Sequence, residues 1–315
     1  MIYFLLFIIS LIFSLAIGNP LIKLLKSINA KQTIREEGPK SHLTSKAKTP
    51  TIGSLIFLIP SFIVVLSLIL YKKLILTQDL KTVLFTTAIM MFLGFFDDIL
   101  KVLKKHNKGI SGWLKLLIQL LVSLIIYLKY KEGAGLFYLI WVFFIISGAS
   151  NSYNLTDGLD GLLTKVSLLS FLGFIVLFFQ TGKPELVYLS LIFCGSLLGF
   201  LYFNKHPAKI FMGDTGSLAI GGAIGSMAIV SRSELYLILF ATIPILEALS
   251  VILQVASCQF SKRFLGKDIR IFKMTPLHHH FELIGWKETM IVNRFFIFQA
   301  ICVALGIVIL LFINI

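Results

Sequence analysis

Two adjacent carboxylates, Asp97 and Asp98, end an apolar run in FLGFFDDILKVLKK, and Lys101, Lys104 and Lys105 follow them. An ionised carboxylate is costly inside hydrocarbon, so the pair is expected where the segment leaves a bilayer. Neighbouring side chains on a helix point about 100° apart. One Asp can therefore face a reacting group while the other is held by a lysine or a cation. Lys101, one turn on, and Lys115, near the start of the next apolar run, are placed to keep a carboxylate ionised.

Three further stretches carry comparable groups. NSYNLTDGLDGL sets Asn151, Asn154, Asp157 and Asp160 at intervals of three. On a helical or tightly turned backbone these share one face, and four oxygen-bearing side chains suit Mg²⁺ or hydrogen bonds to a nucleobase. FMGDTGSLAIGG puts Asp214 ahead of a Gly-rich span whose first N–H groups can receive an anion, and Phe211 can stack on a base. TPLHHHFE carries His278, His279 and His280. Consecutive residues point in different directions and no Cys lies nearby, so a closed zinc site is disfavoured against donation to phosphate oxygens or acid–base work. The basic loop GPKSHLTSKAKTPTIGS offers Lys46 and Lys48 as charges and Thr49 and Thr51 as hydroxyls near a helix start. No P-loop, GxSxG or CxxC pattern is present. Acids, lysines and histidines without a dedicated nucleophile motif suit cation-assisted phosphoryl transfer.

These groups need a scaffold, and composition says which kind. The 315 residues are 57% hydrophobic with a mean hydropathy of +0.93, and only 14% are charged. Long apolar runs predict an all-α polytopic membrane protein, a single domain over residues 1–315, with about ten spans. Their expected extents are 2–22, 51–71, 80–97, 112–129, 135–150, 161–180, 185–203, 216–231, 235–257 and 295–313. The N-terminal run lacks a basic leader and a small-residue cleavage site, so it is read as a first span. Cys194, Cys258 and Cys302 all lie in apolar runs and are expected to be unbridged.

The odd-numbered connections hold 20 Lys and Arg and the even-numbered ones 7. The odd connections are therefore expected to be cytoplasmic and both termini extracytoplasmic. All six His and six of the seven Asp fall in those same connections, Asp79 being the exception. The net charge of +14, spread between spans, fits an anionic membrane face and an anionic substrate rather than nucleic acid. A secondary transporter would place its ionisable groups near the midplane in repeated, broken helices. Here they gather at one edge, and Glu247, beside Pro244, is the one carboxylate deep in a span.

The motifs FFDDILK, NLTDGLDGL, FMGDTGSL and MTPLHHHFELIGWKE, with GPKSHLTSKAKTPT upstream, together resemble the phospho-N-acetylmuramoyl-pentapeptide transferases. These are a branch of the polyprenyl-phosphate N-acetylhexosamine-1-phosphate transferases. The resemblance runs over nearly the whole chain. It implies ten transmembrane helices, a homodimer in the bacterial plasma membrane, a cytoplasmic cleft and a requirement for Mg²⁺. It implies transfer of phospho-MurNAc-pentapeptide from UDP-MurNAc-pentapeptide to undecaprenyl phosphate, giving lipid I and UMP; the alternative is a related transferase using UDP-GlcNAc. Carried over by residue, Asp97 and Asp98 are the essential pair, one of them a base toward the lipid phosphate. Asp214 is implied as the Mg²⁺ ligand, with Asn154 as a second. Asp160 and Phe211 are implied to read the uracil, with Asp157 beside them. Lys46, Thr51, Lys101 and Lys115 line the nucleotide–phosphate cleft, and His278, His279 and His280 lie near the diphosphate or sugar. Two positions depart from the family pattern: Lys48 and Ser54 stand where Gly is expected.

Overall fold

The computed structural model describes residues 2–30, 49–104, 109–131 and 135–313. Among them the regular structure is helical: α1 (Ile2–Ser27), α2 (Leu55–Leu70), α3 (Gln78–Lys104), α4 (Gly112–Tyr130), α5 (Leu136–Thr156), α6 (Leu162–Gln180), α7 (Pro184–Asn204), α8 (Asp214–Val230), α9 (Leu237–Phe240), α10 (Thr242–Leu265), α11 (Leu277–Leu283) and α12 (Glu288–Ile313). Each of the ten expected spans corresponds to a helix. Eight of these are long and apolar enough to cross a membrane, while α2 and α8 are shorter. A count of ten crossings therefore goes beyond what helix length and composition establish.

Alpha8 is the centre of the bundle. Every residue from Thr215 to Val230 is buried, and the helix packs along α3 and α5. Its Gly, Ala and Ser content makes this possible, because small side chains let backbones approach closely where lipid offers no hydrophobic drive between helices. Gly94 of α3 is the tightest point. A Cβ there would lie 2.6 Å from the Thr215 nitrogen and closer still to the Asp214 carbonyl. Both ends of α8 are held by side chains from other elements. Asp98 takes the first N–H groups, and Lys183 Nζ donates to the Val230 carbonyl at 2.7 Å while pairing with Asp79 at 2.5 Å. A carboxylate at a helix N-terminus and an ammonium at its C-terminus both suit the helix dipole. The outer helices turn large apolar side chains outward, among them Phe4, Leu5 and Ile12 of α1 and Ile297, Ile301 and Phe312 of α12.

The expected span 235–257 is broken. Alpha9 stops at Phe240, and α10 restarts at Thr242 with Pro244 in its first turn, where Pro is tolerated. The freed backbone groups are taken by Gln299 of α12, which is fully buried. Its Oε1 accepts from Ile243 N at 2.9 Å, and its Nε2 donates to the carbonyls of Leu239 (3.2 Å) and Phe240 (2.9 Å). A broken helix at membrane depth needs such a partner.

Candidate active site

Asp97 and Asp98 do not mark a solvated helix end. Alpha3 continues for two turns beyond the expected limit at residue 97, and both side chains are buried, at 0% and 3% exposure. The difference between them is set by what each faces. Asp98 points at the start of α8: Oδ1 accepts from Asp214 N (3.1 Å), while Oδ2 accepts from Thr215 N (2.9 Å) and Thr215 Oγ1 (2.6 Å). It is an N-cap supplied from another helix. Gly213 makes the approach possible, since its φ of 80° favours Gly and a Cβ there would meet Asp98 Oδ2 at 2.6 Å and Thr51 Oγ1 at 2.9 Å.

Asp97 faces the other way, into a cavity of about 630 Å³ lined by Asp97, Lys101, Gly109–Gly112, Lys115, Asn151, Asn154, Leu155 and Asp214. Its Oδ1 accepts from Ile110 N at 2.6 Å. Two lysines join it to Asp214: Lys101 Nζ lies 2.6 Å from Asp97 Oδ2 and 3.1 Å from Asp214 Oδ2, and Lys115 Nζ lies 3.1 Å from Asp97 Oδ1 and 2.8 Å from Asp214 Oδ2. Ser111 caps α4 through a 3.3 Å bond from Leu114 N and so sets the turn that carries Lys115. Oxygens of Asp97, Asp98 and Asp214 all lie within 4.8 Å of one another, and three carboxylates against two ammonium groups leave a site that favours a further cation. The cavity-facing carboxylates are Asp97 and Asp214, because Asp98 is spent on α8.

A family model and three related sequences match this chain. A family model described as glycosyl transferase family 4 matches residues 80–232, the stretch from α3 to just beyond α8. The phospho-N-acetylmuramoyl-pentapeptide-transferase of Clostridium perfringens strain 13 is 42% identical over 93% of this chain and 94% of its own length. Proteins of the same name from Shouchella clausii and Bacillus subtilis are 41% and 40% identical, over 96% and 93% of both chains. The chain belongs to the phospho-N-acetylmuramoyl-pentapeptide-transferase family.

The family's remaining motifs take different places. The run of oxygen-bearing residues at intervals of three splits: α5 extends to Thr156, so Asn151 and Asn154 sit on its last turns and line the cavity, whereas Asp157 and Asp160 follow the helix and do not. The four do not all line the same cavity. Asp160 Oδ2 accepts from Ala208 N (3.0 Å) and lies 3.1 Å from His206 Nδ1, and its backbone N donates to Glu288 Oε1 (2.6 Å). Asp160, His206 and Glu288 form a second group close enough to hold a metal ion, though hydrogen bonds already tie its members together. Phe211 pairs with the backbone on either side of Thr51: Phe211 N donates to Pro50 O and Gly53 N to Phe211 O, while Thr51 N donates to Ala30 O. Ser54, in place of the expected Gly, is fully buried there, and its N–H reaches Met212 O at 3.2 Å. Lys46 and Lys48 lie outside the described residues.

The three histidines diverge as consecutive positions must. His278 Nδ1 lies 3.0 Å from Glu247 Oε1, His279 Nδ1 2.8 Å from Glu282 Oε2, and His280 Nδ1 accepts from Lys273 N at 3.2 Å. None of them lines the cavity. The sequence groups Asn151 with Asn154, Asp157 and Asp160 as oxygen donors but does not single out Gln119, whose Oε1 accepts from Asn151 Nδ2 at 3.2 Å. A Gln one turn beyond Lys115 inside an apolar run is the signal the sequence offers.

Proposed function

We propose that this protein transfers phospho-MurNAc-pentapeptide from UDP-MurNAc-pentapeptide to undecaprenyl phosphate, producing lipid I and UMP for peptidoglycan synthesis. Family membership across nearly the whole chain supports the reaction class. The single observation that carries the site is the convergence of Asp97, Asp214, Lys101 and Lys115 on one cavity. Lysines at that spacing bind a diphosphate, and carboxylates beside them bind a hard cation.

Asp214 and Asn154 are the proposed Mg²⁺ ligands. The donor set fits, since both line the same cavity and offer hard oxygens. When bound, the cation neutralises diphosphate charge and makes UMP a better leaving group. Asp97 is the cavity-facing member of the acidic pair and is assigned as the base that keeps the lipid phosphate ionised. One oxygen of that phosphate attacks the β-phosphorus in line; the bond from the β-phosphorus to the bridging oxygen breaks, and UMP departs with that oxygen. Lys101 and Lys115 hold the transferring phosphoryl oxygens and release their present carboxylate partners to do so. Asp98 keeps Asp214 in register through α8. Asp157, Asp160 and Phe211 are assigned to the nucleoside end, Thr51 and Lys46 to the phosphate loop, and His279 and His280 to the sugar or diphosphate; His278, expected beside them, is instead buried against Glu247. A covalent phospho-sugar on one Asp is the alternative route; trapping a phosphorylated enzyme in the absence of lipid would establish it.

The cavity is assigned to the cytoplasmic face from the excess of Lys and Arg in the connections around it. The protein is read as one domain and a homodimer, with both termini extracytoplasmic. The deciding experiment measures UMP release from purified protein. Release from UDP-MurNAc-pentapeptide should require both undecaprenyl phosphate and Mg²⁺. Faster release from UDP-GlcNAc would move the assignment to the related transferases.

A further inference from the structure

The turn after α5, residues 157–161, is held from behind by a buried ionisable pair. Glu247 of α10 and His278 of α11 are 0% and 1% exposed, and His278 Nδ1 lies 3.0 Å from Glu247 Oε1. The backbone N of His278 points at the second carboxylate oxygen, 3.4 Å away. A carboxylate accepts, so Nδ1 carries the shared proton and the ring orientation is set by Glu247. The opposite edge of the ring, Nε2, is buried with no hydrogen-bond partner among the described residues. That edge lies against Gly158. A Cβ on Gly158 would stand 2.6 Å from His278 Cε1 and closer to Nε2, so the imidazole occupies the space a side chain would need. Leu159 of the same turn packs with Leu162, Ile243, Ile291 and Phe295, against which Leu277 and Phe281 of α11 also rest. The turn is thus seated on α11, and α11 is keyed to α10 by one carboxylate.

We propose that Glu247 is a positioning residue: through His278 it sets the place of the 157–161 turn and with it the affinity for the nucleotide substrate. This rests on the reading above, in which Asp157 and Asp160 take the nucleoside. Among the described residues no hydrogen bond or ion pair joins the Glu247 carboxylate to a residue lining the cavity, so its removal should act on binding and leave the chemical step nearly intact. The pair also explains why a carboxylate is retained deep in α10, where an unpaired charge is strongly disfavoured.

The test uses the full-length protein in detergent or nanodiscs with Glu247→Ala, Glu247→Gln, Gly158→Ala and the double variant Glu247→Ala/Gly158→Ala. Two quantities are read: hydrogen–deuterium exchange of the backbone at 157–161, and KM with kcat for UDP-MurNAc-pentapeptide. Glu247→Ala should speed exchange in the turn and raise KM about tenfold while kcat stays within about threefold. Glu247→Gln keeps an acceptor for Nδ1 and should remain within about threefold of the parent in KM. Gly158→Ala should mimic Glu247→Ala, and the double variant should be no worse than the poorer single one, because both act through the same contact. Unchanged exchange at 157–161 in a folded Glu247→Ala protein, or a fall in kcat alone, overturns the proposal. If Glu247→Ala does not fold, Gly158→Ala carries the same test with the same overturning result. Faster exchange with an unmoved KM keeps the strut and removes the nucleotide assignment of the turn instead.

Discussion

At the level of single residues, the two aspartates of FFDD divide their work. Asp97 meets Lys101, Lys115 and the cavity, and Asp98 caps α8. Their replacements should therefore fail differently. Asp97→Asn should lower lipid-dependent UMP release by about 10²–10⁴-fold, the usual loss for a general base, with little change in the thermal unfolding midpoint. Asp98→Asn keeps one acceptor oxygen but loses the charge at the α8 N-terminus, so it should lower the midpoint as well as the rate, by about 0.5–2 kcal/mol of stability as for other N-caps. Equal midpoints for both variants would erase the distinction. Asp214→Asn should abolish turnover at any practical Mg²⁺ concentration and weaken Mn²⁺ binding, read by electron paramagnetic resonance. Retained Mn²⁺ affinity would take Asp214 out of the metal site.

At the level of elements, the approach of α3 to α8 places the acids together. Gly94→Ala puts a methyl group into the Asp214 backbone, so the helices must separate. Overpacking of this kind destabilises by about 1–3 kcal/mol, and here it also moves Asp97 away from Asp214. Activity should fall further than the thermal midpoint alone would explain, measured as UMP release at a temperature well below unfolding. The break between α9 and α10 makes a second test. Gln299→Leu strips Ile243 N, Leu239 O and Phe240 O of their partner. Each buried group left unsatisfied costs about 1–3 kcal/mol, so this variant should unfold at a clearly lower temperature in detergent.

Across the whole molecule, the cavity and its basic rim lie at one end of α3, and the Asp79–Lys183–Tyr130–Arg232 cluster lies at the other. Tyr130 Oη donates to Asp79 at 2.7 Å, and Arg232 donates to the Tyr130 carbonyl at 2.6 Å. The excess of Lys and Arg predicts opposite compartments for the two ends. A single cysteine introduced at Arg232 in a cysteine-free background should react with an impermeant maleimide added outside intact cells, and one at Lys273 should react only after permeabilisation. The reverse pattern would turn the proposed topology over.

Several features are legible in the residues alone. Long apolar runs dictate helices because a bilayer leaves backbone groups no other partner. Nine such runs reappear as single helices and the tenth as two, and the acids and lysines of the site stand out because charge is rare in such a chain. The Pro244 break is legible too. Hidden in the sequence are the facts that depend on where helices meet. Nothing local says that α5 runs on to Thr156 and parts Asn154 from Asp157, that His278 pairs with Glu247 thirty-one positions away, or that Asp160 is bound to His206 and Glu288. Adjacent residues on one helix face different neighbours by about 100°, so the chemistry of a paired motif is assigned by packing. The sequence by itself determined which residue types reach the membrane edge. The tertiary structure decided which aspartate holds a helix and which one faces a substrate, because only the seated N-terminus of α8 distinguishes them.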